Sequence, residues 1–135
     1  MAINEYTTAI AINPELAEAY SNRGIIYKAQ GKLDLALADY NRALRLNPNY
    51  TEGYNNRGFL YGEQGKIDLA EADFNRALEL NPNYANAYVG LGLVQMELKN
   101  TEAARTHLQK AQELSIAQGN TTLATKVANI LQELP

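Results

Sequence analysis

Asn22 and Asn56 stand 34 residues apart in nearly identical surroundings. An asparagine amide can donate to a backbone carbonyl and accept from a backbone N–H. Two of them in phase on one surface therefore suit the main chain of a bound, extended segment. The alternative is that each amide caps a neighbouring helix or faces water. Next to them Arg23 and Arg57 recur, and Asp39 and Asp73 recur at a second phase. Those types predict ion pairs within a unit, Arg23–Asp39 and Arg57–Asp73. The other pairing is with the preceding unit, Arg23–Glu5 and Arg57–Asp39. If exposed, such pairs contribute under ~1 kcal/mol each. Catalysis has no comparable set. His107 is the only histidine and sits among Arg105, Thr106 and Lys110, which reads as a solvated side chain. Glu102 and Glu113 read as a solvated face. The chain carries no HExxH, no phosphate-cradling glycine loop and no Ser–His–Asp set identifiable from spacing. The expectation is no enzyme, no metal site and no cofactor.

The elements that must carry these residues follow from the same period. Pro14, Pro48 and Pro82 are spaced by 34 residues, inside Asn13-Pro14, Asn47-Pro48-Asn49-Tyr50 and Asn81-Pro82-Asn83-Tyr84. Residues 17–50 and 51–84 are identical at 23 of 34 positions, a period that marks a stacked array. Each unit reads as two helices of roughly 13–14 residues. Tyr20, Ile25, Ile26 and Tyr27 mark the first. Gly31-Lys32 ends it, as Gly65-Lys66 does one period later, because glycine takes the left-handed conformation of a helix stop. Leu33, Ala36, Leu37, Tyr40, Ala43, Leu44 and Leu46 mark the second helix. Asn47-Pro48 stops that one, since the residue before proline is pushed out of helical geometry. Neither helix can bury its apolar face alone, so units must stack.

Recurring small residues fix the packing. Gly24, Gly58 and Gly92 share a phase in the first helix, where glycine costs ~1 kcal/mol of helix propensity; close helix approach is the expected compensation. Ala36, Ala70 and Ala104 form a second small column, and Ala43, Ala77 and Ala111 a third. Facing them stand Tyr20, Tyr54 and Tyr88, and Tyr40, Phe74 and Leu108. The nine tyrosines are expected to form an aromatic-rich core.

Bulk properties bound the partners. The chain has 135 residues, 46% hydrophobic and 20% charged, enough for one modest domain. Net charge is −3, the pI is about 5.2, and no basic block appears, which disfavours nucleic acid. There is no cysteine, so disulfides and thiolate metal sites are excluded. No apolar run approaches the ~18 residues of a membrane span, and the first residues do not form a secretory signal. Cytoplasmic location is the default expectation.

The pattern Tyr20, Gly24, Tyr27, Ala36, Tyr40, Ala43, Pro48, repeated as Tyr54, Gly58, Tyr61, Ala70, Phe74, Ala77, Pro82, resembles the tetratricopeptide repeat. The first aromatic is Tyr where that family often has Trp. The resemblance covers essentially the whole chain. It implies an all-α fold: an alpha-alpha superhelix, or solenoid, of antiparallel helix pairs, right-handed, with a C-terminal capping helix. It also implies that the first helices line a concave groove that takes a peptide or an extended segment of a partner protein.

By that resemblance the groove columns are Glu18, Ser21, Asn22, Ile25 and Lys28, then Glu52, Asn55, Asn56, Phe59 and Glu63. Asn86, Val89, Leu93, Met96 and Glu97 continue them. Among these, Asn22, Asn55, Asn56, Phe59, Glu63, Asn86, Val89, Leu93 and Met96 are the candidate partner-binding residues. The asparagine ladder stops at Gly90. Ile25, Phe59 and Leu93 form an apolar column, widened by Val89 and Met96, that either anchors a ligand or packs between first helices. Glu18, Glu52, Glu63 and Glu97 make the walls acidic, favouring a basic or neutral segment. Related arrays grip a chaperone's acidic tail with lysines, an arginine and asparagines. Here the basic positions of that clamp hold Ser21, Asn86 and Gly90, and Ile25 replaces one of its asparagines. A two-carboxylate clamp is not expected.

The ends depart from the period. Residues 85–118 match the preceding unit at only 7 of 34 positions, and Ile116 replaces the proline. The second helix of that unit is therefore expected to run to about Gln118 and stop at Gly119-Asn120. Leu123, Val127, Ile130, Leu131 and Leu134 then mark one amphipathic capping helix in residues 119–135. Residues 1–16 align with a second helix alone, with Ala2, Tyr6, Ala9 and Pro14 in the phases of Ala36, Tyr40, Ala43 and Pro48. Ile3, Tyr6 and Ile10 are left with an incompletely covered face. Either the chain is a fragment of a longer array, or a second copy covers that face as a homodimer or end-to-end stack. The division expected is one array: half repeat 1–16, repeats 17–50 and 51–84, degenerate repeat 85–118, cap 119–135. Its function is expected to be a non-catalytic protein–protein interaction scaffold. The alternatives are a self-associating structural element, or the repeat region of a larger enzyme or assembly factor.

Overall fold

Proline and glycine at fixed phases cut the chain into helices. The computed structural model describes residues 2–135; Met1 and the Ala2 side chain lie outside it, and with them the expected alignment of Ala2 with the small-residue column. Among the described residues there are eight helices and no strand. They are α1 (Ala2–Ile12), α2 (Ala17–Ala29), α3 (Leu33–Leu46), α4 (Thr51–Glu63), α5 (Ile67–Leu80), α6 (Ala85–Glu97), α7 (Thr101–Ala117) and α8 (Thr121–Glu133).

The stops have local causes. Asn47 and Asn81, each before a proline, leave helical geometry with φ of −136° and −141°. The side-chain oxygens of Asn13, Asn47 and Asn81 each accept from the N–H two residues on, at 3.1 Å, which closes the turn. Gly31 and Gly65 end the first helices at φ +77° and +75°. One period later Lys99 holds the same left-handed conformation at φ +61°, without glycine's freedom. With no proline at residue 116, α7 runs to 17 residues, and Gly119 (φ +72°) ends it.

The alanine columns at 36, 70, 104 and at 43, 77, 111 are wholly buried. The glycine column at 24, 58 and 92 is filled by the second helix of the same pair. A Cβ at Gly24 would lie 2.7 Å from the Tyr40 ring, one at Gly58 2.8 Å from Phe74, and one at Gly92 2.7 Å from Leu108. So each costly glycine is offset by a large side chain seated against bare backbone. Tyr40 is buried deeply enough that its phenol is pushed up to about 12.

The tyrosine-rich core is corrected. Among the tyrosines only Tyr40 is buried; Tyr27, Tyr54, Tyr61, Tyr84 and Tyr88 pack half-buried against the core, and Tyr20, Tyr27, Tyr54 and Tyr61 also flank arginines. Arg23 lies 5.6 Å from the Tyr20 ring and 5.7 Å from Tyr27, and Arg57 repeats this at 5.7 Å from Tyr54 and 5.6 Å from Tyr61.

Each helix packs on its neighbours in the chain, and the first helices also touch one another, α2 with α4 and α4 with α6. That places the first helices on the inside of the curve: an all-α repeat solenoid closed at its C-terminal end by α8.

Candidate functional site: the groove of the first helices

The groove is built from side chains that α2, α4 and α6 turn away from their own second helices. Asn22 and Asn56 are half-buried there. Asn56 donates from Nδ2 to Ser21 Oγ at 3.2 Å, a link from one helix pair to the previous one. Its remaining amide valences are the ones a ligand could use. Asn86 is exposed near the next step of the groove. Ile25 is 45% exposed, which decides against its packing between first helices. Phe59, Leu93 and Met96 are half-buried, and Glu63 is exposed.

Two expected groove residues are placed differently. Asn55 is only 5% exposed and Val89 4%, in line with the buried Ser21. This column faces the interior because it is the part of each first helix nearest its neighbours. Val89 packs with Leu108, Ala111 and Val127, so it is floor rather than open surface. Asn55 is corrected from a ligand-facing amide to an interior one, and its Oδ1 is buried without a hydrogen-bond partner.

Two recesses open along the groove. The larger, about 400 Å³, lies between the C-terminal halves of α4 and α6. Phe59 and Phe74 meet edge-to-face in it, ring centroids 4.9 Å apart at 71°. Leu93, Val94 and Met96 form its other wall, with Glu63 and Glu97 at the rim. The smaller, about 300 Å³, runs from Lys28 past Asn86 and Leu93 to Leu123, Lys126 and Ile130 of α8. The α8 residues were not legible as groove residues: their spacing showed an amphipathic cap, but not that its edge reaches the groove.

Charge along the groove is mixed rather than simply acidic. Lys28 Nζ lies 3.4 Å from Glu63 Oε1 and 5.9 Å from the Phe59 ring centroid. Glu97 takes part in no ion pair among the described residues. At the other end, burial and then the negative charge of Glu52 hold the Tyr84 phenol above its ordinary value.

The arginine–aspartate pairs form within units. Arg23 donates from Nε and Nη2 to Asp39 at 2.7 and 2.8 Å, and Arg57 to Asp73 at 2.8 and 2.8 Å. The preceding unit supplies a neutral acceptor instead of a carboxylate: Thr7 Oγ1 for Arg23 at 3.3 Å and Asn41 Oδ1 for Arg57 at 3.0 Å. The pairs are not exposed ones: the Asp39 and Asp73 side chains are 2% and 7% exposed. Both guanidinium pKa values are raised, chiefly by the hydrogen bonds to aspartate and against the opposing effect of burial. His107 is also corrected: it is half-buried, its ring 6.2 Å from that of Tyr88. Among the described residues no cluster of three or more His, Cys, Asp or Glu could hold a metal ion, and no helix is long and apolar enough to cross a membrane.

The tetratricopeptide-repeat profile matches residues 17–50 and 51–84. Two further profiles, described as TPR repeat and tetratricopeptide repeat, match residues 1–31 and 74–106. The chain belongs to the tetratricopeptide-repeat family. Among solved structures it is similar to the TPR2B domain of yeast Sti1 in a pHsp70 complex: 24% identity, 86% of this chain and 93% of that one, TM-score 0.80. It is similar to YrrB, described as a TPR protein with an unusual peptide-binding site: 30% identity, 81% of this chain and 56% of that one, TM-score 0.73. It is similar to the first TPR of Spaghetti (RPAP3) bound to the HSP90 peptide SRMEEVD: 28% identity, 87% of this chain and 94% of that one, TM-score 0.70. Compared with curated protein sequences, the chain has no match.

Proposed function

We propose that this chain is a non-catalytic interaction module whose groove holds an extended segment of a partner protein. The observation that carries the reading is the open face shared by α2, α4 and α6. Half-buried amides at Asn22 and Asn56 there run beside a cleft of about 400 Å³ lined by Phe59, Leu93 and Met96. Amides suit a peptide backbone, and an apolar cleft suits a side chain. Two similar structures support the class of ligand, one with a peptide-binding site and one with a bound peptide. The segment itself differs from the acidic SRMEEVD bound by Spaghetti. Ser21, Asn86 and Gly90 carry no positive charge, Lys28 is shared with Glu63, and Glu97 at the larger recess has no ion-pair partner among the described residues, so a neutral or basic segment fits there.

Selection of a random peptide library on the folded protein tests this, followed by mapping of amide chemical shifts with the best peptide. Shifts are expected on α2, α4 and α6. Asn22→Ala and Asn56→Ala should each weaken binding about fivefold, the equivalent of one net hydrogen bond of ~1 kcal/mol. Shifts confined to α3 and α5 would sink the groove reading.

A further inference from the structure

We infer that the cleft between α4 and α6 is a side-chain pocket for one large apolar residue, aromatic or long aliphatic, that stands next to a lysine or arginine in the bound segment. The inference rests on the groove reading above and specifies what the groove selects.

The pocket exists because of two departures from the repeat. Gly62 stands where the neighbouring first helices have Lys28 and Met96, and Gly90 stands where they have Asn22 and Asn56. Residue 62 opens the mouth: a Cβ there would meet nothing within 4 Å. Residue 90 shapes the floor: a Cβ there would overlap the Phe74 ring, so the missing side chain is what lets Phe74 lean between α4 and α6. The cleft thus has a floor of aromatic edge, with Phe74 against Phe59 at 4.9 Å. Glycine costs ~1 kcal/mol in a helix interior, where Gly90 sits, and less in the last turn, where Gly62 sits. Neither glycine belongs to the Gly24, Gly58, Gly92 column; the space at Gly90 is taken up by Phe74, whereas nothing in the protein packs against Gly62.

Size and lining select an apolar occupant. A volume of about 400 Å³ is at the small end of ligand pockets and leaves room for one large side chain together with the backbone that carries it. Met96 on its wall can adapt to aromatic or aliphatic shapes. Charge selects the neighbour of that occupant. Glu63 and Glu97 both stand at the rim; Glu63 already shares Lys28, while Glu97 has no cationic partner among the described residues. A cation one residue from the anchor would meet the exposed carboxylate of Glu97 at the rim of the cleft. An acidic residue there would face two carboxylates.

The test uses random peptides selected on the intact chain, and the best synthetic peptide measured by fluorescence polarisation against wild type, Gly62→Lys and Gly62→Ala. Both substitutions fit an open helical position and should keep the fold, which a thermal melt verifies. Selected peptides should share a large apolar residue adjacent to Lys or Arg. Gly62→Lys should weaken the best peptide about tenfold or more, equivalent to ~1.4 kcal/mol. Gly62→Ala, which narrows the mouth less, should weaken it by a smaller factor than Gly62→Lys does. Glu97→Gln should weaken it severalfold and reduce its salt dependence. If Gly62→Lys binds as wild type does while Asn56→Ala is impaired, the groove stands and the pocket is overturned. Selection of acidic or wholly polar sequences also overturns it. If no peptide is selected, the groove reading fails with it.

Discussion

Arg57 and Asp73 face each other through two hydrogen bonds of 2.8 Å, the guanidinium fork matching the carboxylate across α4 and α5. The same arginine reaches Asn41 of the preceding pair and lies between the Tyr54 and Tyr61 rings. One side chain therefore ties together two units through four partner residues on three helices, and Arg23 repeats the arrangement with Asp39, Thr7, Tyr20 and Tyr27.

Breaking the pair from one side should be costly. Asp73→Ala leaves a half-buried guanidinium without its carboxylate, and the expected loss is about 3–5 kcal/mol in urea unfolding. Removing both charges is a different experiment. The third helix pair has Leu91 and His107 at these two phases and folds with Leu91 in its core. Arg57→Leu/Asp73→His should therefore recover at least half of the stability lost in Asp73→Ala. A double variant no more stable than the single one would show that the ion pair specifies the unit in a way Leu and His cannot replace.

Glycines in one helix should respond oppositely to alanine. Gly58→Ala puts a methyl group 2.8 Å from the Phe74 ring in a packed core, and the expected cost is about 1–3 kcal/mol. Gly62→Ala meets open space and should gain up to ~1 kcal/mol from helix propensity. A related gain lies at the end of α6. Lys99 holds φ +61° where Gly31 and Gly65 stand in the earlier units, so Lys99→Gly should stabilise by about 1 kcal/mol by relieving left-handed strain. Thermal melts of the three variants would show the signs directly; stabilisation by Gly58→Ala would refute the packing role.

These contrasts mark how far the sequence could be read. The arginine–aspartate pairing was legible because the repeat is its own control: Arg23 and Arg57 persist with Asp39 and Asp73, and residues 91 and 107 lose both types together. Helix ends were legible because proline, Asn-Pro and glycine act locally. Asn55 was not, because periodicity gives a phase on a helix but not how closely the next helix crosses it. The pocket was only half legible. Gly90 was visible as the end of the asparagine ladder, but the lean of Phe74 into its space is a three-dimensional consequence. The edge of α8 in the groove depends on its rotation after Gly119, and no repeat remains to fix that phase.

Acid should loosen the third helix pair through His107. Burial lowers the pKa of this histidine from its ordinary 6.5, with the negative charge of Glu71 acting in the opposite direction. Besides Glu71, it faces the Tyr88 ring. With the folded pKa below the unfolded one, the unfolded chain binds more protons between the two values. The histidine's contribution is then complete above about pH 6.5 and lost as pH falls through the folded pKa. The urea midpoint should decline from pH 7.5 to pH 5 in wild type and decline less in His107→Gln. Equal slopes would assign the acid sensitivity to other groups.

End-to-end stacking through the uncovered face of α1 should not occur by way of α8. Ile3, Tyr6 and Ile10 are half-buried against α2, and Ile12 is 80% exposed, so α1 offers an apolar surface. A helix that completed it would need an apolar, small-residue face, as Gly24 provides for Tyr40. The exposed residues of α8 are Thr121, Thr122, Thr125, Lys126, Asn129, Gln132 and Glu133, all polar. Burying them against Ile3 and Ile10 would desolvate polar groups without partners, at a cost of roughly 1–3 kcal/mol for each such group. Sedimentation velocity across a wide concentration range should therefore show no growing series of oligomers. Replacing Lys126 and Asn129 by Ala should make such a series easier to form. Filaments or oligomer ladders in the unaltered chain, lost in Ile3→Ser/Ile10→Ser, would overturn this and make α1 a self-association surface.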